Sequence, residues 1–362
     1  MDEVEFLKKS IEIPSISGYE AAFSDYLVDQ MKKVGFESWK DEVGNAIGQI
    51  GEGKPVLLLC SHLDTVPGMI PVKIENGQIF GRGAVDAKGS LISMICAAAR
   101  YIGKPIPGKI IVAGIVEEET SIKGIFNLLN SLKEIDYAIF GEPSGLNRIC
   151  IASKGRIHLH LLVKSLLGNS HVSSYESENP IHIAFDFWSD LSRRMSQKPF
   201  LGKTPYFSVE LNITIIKGGL ATNTIPDACE LDIDIRFPSA IKASMILKEI
   251  ESSMRDYEQK NTYQIKYKIL SHIEGIRAKK DTDLVIALKN AIEEVAGIES
   301  KFLRKAGTNF MAIIAQELNI PVVSYGPGDS RLDHSQNEHI SIKEYQKAIE
   351  VLSKFISNLL PI

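Results

Sequence analysis

The chain of 362 residues is 44% hydrophobic and 24% charged, which suits a soluble globular protein with room for two domains of about 100–200 residues each. Lys plus Arg number 41 against 45 Asp plus Glu, a net charge of −4, so neither nucleic acid nor a membrane surface is the expected partner. Intrinsic disorder is excluded, as is a collagen-like repeat, because the 27 glycines have no period.

The N-terminus, Met1-Asp2-Glu3-Val4-Glu5, is acidic and opens an amphipathic stretch, unlike a signal peptide. A continuous apolar run at 56–60 reads as a strand covered on both faces. A helical pattern follows at 88–101; its most apolar part, 91–99, is far short of the ~20 residues a membrane span needs. Further buried strands are expected at 110–116, 137–140 and 321–325, with helices at 122–132 and 284–295. This alternation predicts an α/β catalytic domain with a mostly parallel sheet. The middle of the chain changes character. Period-two alternation at 208–216 and 229–237, polar residues within an apolar run at 157–164, a strand at 262–270, and helices at 180–195 and 243–257 give the order β-α-β-β-α-β. That is the order of a ferredoxin-like α+β unit, so residues 156–271 are expected to form an inserted domain and 1–155 with 272–362 the catalytic one. The cysteines Cys60, Cys96, Cys150 and Cys229 are widely spaced without a CxxC, the pattern of reduced buried thiols in a cytoplasmic protein.

Chemistry-bearing residues follow each buried strand: Ser61-His62-Leu63-Asp64, Glu117-Glu118-Glu119, Gly141-Glu142-Pro143, and Gly326-Pro327-Gly328 with Asp333-His334 beyond it. Ligands in open α/β sheets bind at the carboxyl ends of strands, and Asp86 adds a carboxylate just before a helix. Taken singly these residues are a surface histidine, a solvated acidic turn and a helix cap. Together they form a histidine and carboxylate set without thiolates, suited to zinc, cobalt or manganese and large enough for two ions. The His62-x-Asp64 spacing lets Asp64 accept the second imidazole N–H and fix the ring. Two other glycine motifs are decoys. In Gly48-Gln49-Ile50-Gly51-Glu52-Gly53-Lys54, Pro55 replaces the Ser/Thr of a phosphate loop and a strand follows in place of a helix. Gly81-x-Gly83 lacks the third glycine of a dinucleotide fingerprint.

These segments, with Gly81-Arg82-Gly83-Ala84-Val85-Asp86-Ala87-Lys88-Gly89 and Glu117-Glu118-Glu119-Thr120-Ser121, resemble the M20 metallopeptidases over nearly the whole chain. The resemblance implies a two-metal catalytic domain (Zn2+, with Co2+ an alternative) and an inserted lid that mediates homodimerisation. It implies that His62 and Glu142 hold one ion, Glu119 and His334 the other, and that Asp86 bridges. Glu118 is implied as general base, with Asp64 part of the catalytic set. In the lid, His171 would stabilise an oxyanion, while Asn223, Arg236 and the loop glycine Gly328 would contact substrate. Glu117 stands where the family usually has Asp. Arg304-Lys305-Ala306-Gly307-Thr308 and Tyr325-Gly326-Pro327-Gly328 resemble the branch that hydrolyses lysine or ornithine from an acidic amino-group carrier protein, though Asn309-Phe310 replaces its usual Ser-Asp. The expected function is release of lysine or ornithine from the carrier's C-terminal glutamate. The alternatives are a small-molecule N-acyl amino acid deacylase and an inactive member that only binds a ligand. Arg277, Lys279, Lys280, Arg304 and Lys305 read either as a basic rim on which such a carrier docks or as a pair of solvated turns.

Overall fold

The computed structural model describes residues 2–132, 134–166, 170–171, 179–258 and 263–360. The chain divides into two compact units, one of Met1–Ile151, Ala278–Arg304 and Ile313–Ile362, the other of Ala152–Arg277 and Lys305–Ala312.

The first unit is built on a sheet in the order Glu37–Lys40, Ala46–Glu52, Gly108–Ile115, Val56–His62, Tyr137–Phe140, Val322–Ser324, Arg148–Ser153. It is mixed, which corrects the expectation of a mostly parallel sheet. The four central strands run parallel, and the flanking ones pair antiparallel. The central strands are apolar because helices cover both faces: every residue of Val56–His62 is buried, and full burial of a leucine such as Leu57 or Leu59 contributes roughly 1.5–3 kcal/mol. The outer strands Glu37–Lys40 and Ala46–Glu52 are partly exposed and carry Lys40, Gly48 and Gly51, so their pattern is weaker. Part of the phosphate-loop decoy is thus the ordinary strand Ala46–Glu52.

Helix Lys88–Ala99 is buried on all sides from Lys88 to Ala98, because it packs on the sheet on one side and on helix Ile342–Leu359 on the other. Ser341 caps that last helix by accepting the Glu344 N–H. Helix Asp283–Ala296 starts at the Thr282 cap, stops at left-handed Gly297, and packs on the same C-terminal helix.

The second unit holds an antiparallel sheet in the order Glu210–Gly218, Ala228–Phe237, Gly155–Ser165, Tyr263–Ile273. Ile157, Leu159, Leu161 and Val163 point to one face with Leu231, Ile233 and Ile235 beside them, and helices Pro180–Met195 and Ala243–Glu258 cover that face. Asn179 accepts the Ile181 N–H and Pro180 opens the first of these helices. This unit is larger than the expected 156–271. Segment 305–312 joins it because Lys154 donates its N–H to the Lys305 carbonyl and Thr308 Oγ1 donates to the Lys154 carbonyl at 2.7 Å. Among the described residues no helix is long and apolar enough to cross a membrane, and the four cysteines are free and buried.

Candidate metal centre

Three of the parallel strands end at one edge of the first unit and deliver the acidic and imidazole groups there. His62 closes Val56–His62, Glu117-Glu118-Glu119 follow Gly108–Ile115, and Glu142 follows Tyr137–Phe140. Gly141 allows the last of these to come close. Its N–H donates to the Cys60 carbonyl at 2.6 Å, and a Cβ on it would stand 2.8 Å from Ser61 Cβ, so no larger residue fits. His334 is presented from a left-handed turn at φ 59, a conformation in which histidine is enriched.

Three groups of ligand atoms converge, each drawn within 4.8 Å: His62 with Asp86 and Glu142, Asp86 with Glu119 and His334, and His62 with Glu118 and Glu119; Asp86 is shared by the first two. Its Oδ1 lies 3.2 Å from His62 Nε2 and its Oδ2 lies 2.9 Å from His334 Nε2, which also meets Glu119 Oε1 at 2.9 Å. Burial would raise the Asp86 carboxyl, yet hydrogen bonds from His334 and His62 hold it well below the usual range. His334 is pushed up to about 9, chiefly by its bond to Asp86. Asp86 also precedes the N-terminus of helix Lys88–Ala99, where the backbone dipoles favour a negative charge. The donor set fits two divalent ions. Each group offers one nitrogen and two carboxylates, and the shared carboxylate turns one oxygen to each side.

Glu118 is half-buried and lies within the same reach of His62 and Glu119. Its carboxyl is pushed well above the usual range by loss of solvent, with Glu142, Glu119 and Asp64 adding to the rise and His62 opposing it. An acid so placed can hold a proton and pass it on.

Asp64 has a larger role than the spacing implied. His62 Nδ1 donates first to the Asp64 backbone carbonyl at 2.9 Å, with Asp64 Oδ1 at 3.4 Å, so the ring is fixed mainly by the main chain. The completely buried carboxylate instead accepts the N–H of Glu118 on Oδ1 and that of Glu119 on Oδ2, both at 3.0 Å, and the Ser17 hydroxyl at 2.7 Å. Burial tends to raise Asp64, but these bonds, led by His62, lower it. Glu20 holds the preceding amide, accepting from Glu117 N at 3.0 Å. Glu117 sits at φ 59, the left-handed region that the shorter Asp tolerates more readily; its carboxylate accepts from Ser121 and faces Lys123 across the turn. Ser17 and Glu20 were not candidates from sequence, since neither lies near a motif.

Among the other candidates, Gly328 donates its N–H to Glu344 Oε1 at 2.9 Å, so that amide is already engaged. Asn223 is exposed and accepts from the Thr224 hydroxyl. Arg236 lies along Asp234, with Nε donating at 2.6 Å and Nη1 reaching Thr308 Oγ1 at 3.1 Å, while Arg156 donates to the same Asp234. The backbone of Ser170–His171 pairs antiparallel with Thr224–Ile225; the His171 side chain and residues 172–178 lie outside the described residues.

Residues 58–358 match the sequence profile described as peptidase family M20/M25/M40. A LysW-lysine hydrolase of Deinococcus radiodurans is 30% identical over 98% of this chain and 96% of its own length. A LysW-lysine/LysW-ornithine hydrolase of Sulfurisphaera tokodaii is 36% identical over 85% of this chain and 82% of its own. Among solved structures, an M20 family metallo-carboxypeptidase of Sulfolobus solfataricus superposes with a TM-score of 0.82 at 19% identity, covering all of both chains. The Bacillus subtilis YXEP protein, described as a dinuclear metal binding peptidase from the M20 family, gives 0.76 at 14% identity over 99% of this chain and 97% of that one.

Proposed function

Since this chain belongs to peptidase family M20/M25/M40, we propose that it hydrolyses the amide joining lysine or ornithine to the C-terminal glutamate of a LysW-type carrier protein, a step of lysine and arginine biosynthesis in the cytoplasm. The chemistry rests on Asp86, which offers one oxygen to each of two ligand groups beside Glu118. The substrate rests on relatives that carry this activity in their names and align over 98% and 85% of this chain.

In this reading His62 and Glu142 hold one Zn2+ or Co2+, Glu119 and His334 hold the other, and Asp86 joins them. Such ions polarise the scissile carbonyl and lower the pKa of water towards roughly 7. Glu118 takes the proton of the attacking water and returns it to the departing α-amino group. Asp64 fixes that carboxylate from behind by gripping the Glu118 and Glu119 amides, which removes the need to reorganise during turnover. Arg236 and Asn223 bind the released amino acid, Arg236 sharing its guanidinium between Asp234 and the substrate carboxylate. His171 stabilises the oxyanion. The second unit serves as lid and dimerisation domain, and its outer strand Glu210–Gly218 leaves Ile215 and Ile216 exposed, an edge suited to a second copy of the chain.

The test is to assay the metal-loaded protein on a carrier–lysine conjugate, a carrier–ornithine conjugate, acetylornithine and acetyllysine side by side. The carrier conjugates are expected to give the higher kcat/KM; faster hydrolysis of acetylornithine would replace this reading by a small-molecule deacylase.

A protein substrate also needs a docking surface. In the first unit Lys279, Lys280 and Arg304 are exposed, Lys280 Nζ lies 4.6 Å over the Phe302 ring, and Arg304 shares the face of Phe302 on strand Lys301–Lys305, so two separate segments contribute cations to one patch. An acidic carrier steered by it would lose rate as the Debye length falls from about 10 Å at 0.1 M salt to about 3 Å at 1 M. The expected result is a salt-sensitive kcat/KM for the conjugate, lowered further in Lys280→Glu/Arg304→Glu, with much smaller changes for acetyllysine. Equal sensitivity of the two substrates would remove the docking surface.

A further inference from the structure

Arg82 and Glu338 form a buried ion pair that the metal ligands do not account for. Glu338 is completely buried. Its Oε2 accepts from Arg82 Nη1 at 2.8 Å, and its Oε1 accepts the backbone N–H groups of Val85 and Asp86 at 2.9 and 3.1 Å. Arg82 also donates from Nε to the Gly68 carbonyl at 3.0 Å and from Nη1 to the Ser335 carbonyl at 3.1 Å. The Gly81 N–H returns to the Glu338 carbonyl at 3.2 Å.

Each contact reaches a segment that carries a site residue. Gly68 lies in the loop after His62 and Asp64, Ser335 directly follows His334, and Asp86 is held by its own amide. A buried pair gains little net stability over apolar side chains of the same size, so its use is sought in what it orients. Asp86 has two side-chain torsions, and fixing its backbone restricts where both oxygens can reach. One of them must meet the His62 side and the other the His334 side.

We propose that Arg82 and Glu338 are positioning residues that hold Asp86 in its bridging orientation and thereby set the affinity for the second of the two ions. The inference rests on the two-ion reading above and extends it to residues that touch no ion themselves. It predicts that loss of the pair separates the two binding steps before it unfolds the protein. Groups that orient metal ligands typically change affinity by about 10–100-fold when removed.

The test is titration of the metal-free full chain with Co2+, read by visible absorption and calorimetry, with thermal unfolding recorded for each variant. The unchanged protein should bind two Co2+. Glu338→Ala should weaken the second step by about 10–100-fold and alter the Co2+ spectrum. Glu338→Gln keeps an oxygen for the two amides and should recover part of that loss. Arg82→Lys keeps the charge but cannot serve Gly68, Ser335 and Glu338 together, so it should also weaken the second step, and it carries the test should Glu338→Ala fail to fold. Two unaltered Co2+ steps in a folded Glu338→Ala or Arg82→Lys, lowered unfolding temperatures alone, or no recovery in Glu338→Gln would overturn the proposal. A single step in the unchanged protein would instead overturn the two-ion reading.

Discussion

Glu118→Gln is expected to leave the metal content intact and to slow turnover by roughly 10²–10⁴-fold, the range for a lost general acid–base group. The substitution keeps the size of the side chain and its ability to hydrogen-bond, and the backbone N–H that Asp64 accepts is unaffected. The fall should therefore appear in kcat with little change in KM. Metal analysis on the same preparation separates this role from a ligand role, which matters because Glu118 stands within reach of His62 and Glu119. Near-normal turnover would move the base to another residue of the acidic turn, and loss of an ion would make Glu118 a ligand.

Asp86→Ala should have the more severe consequence, loss of both ions and of all activity. Without the shared carboxylate the two groups keep one imidazole and one other carboxylate each, His62 with Glu142 and His334 with Glu119, and the remaining trio His62–Glu118–Glu119 could hold an ion only by using Glu118, the base, as a ligand. Two divalent charges would also face each other with no anion between them. Full occupancy in a folded Asp86→Ala protein, measured by elemental analysis, would show that the two groups are independent.

The convergence of His62, Asp86, Glu119 and Glu142 could be anticipated from sequence because each stands just past a buried apolar strand or beside a helix start, and the central strands announce themselves by their composition; His334, ten residues beyond Val322–Ser324, had no such marker. The Asp64 hub could not, because it acts on backbone amides of a loop more than fifty positions away, and amide positions leave no mark in a sequence. Arg82 and Glu338 were hidden for the same reason: their partners are main-chain groups of Val85, Asp86, Gly68 and Ser335. The pairing of Arg236 with Asp234 was available, since residues two apart on a strand share a face. Strands Glu37–Lys40 and Ala46–Glu52 were obscured by glycine and charge, and the placement of 305–312 with the second unit depends on the tertiary bonds of Lys154.

The most direct test of the account is anomalous diffraction from crystals of the protein grown or soaked with Zn2+ or Co2+. Two peaks are predicted, about 3.5–4 Å apart, one beside His62 and Glu142, the other beside Glu119 and His334, with an Asp86 oxygen on each. A single peak at saturating metal, or two peaks not bridged by Asp86, would contradict it.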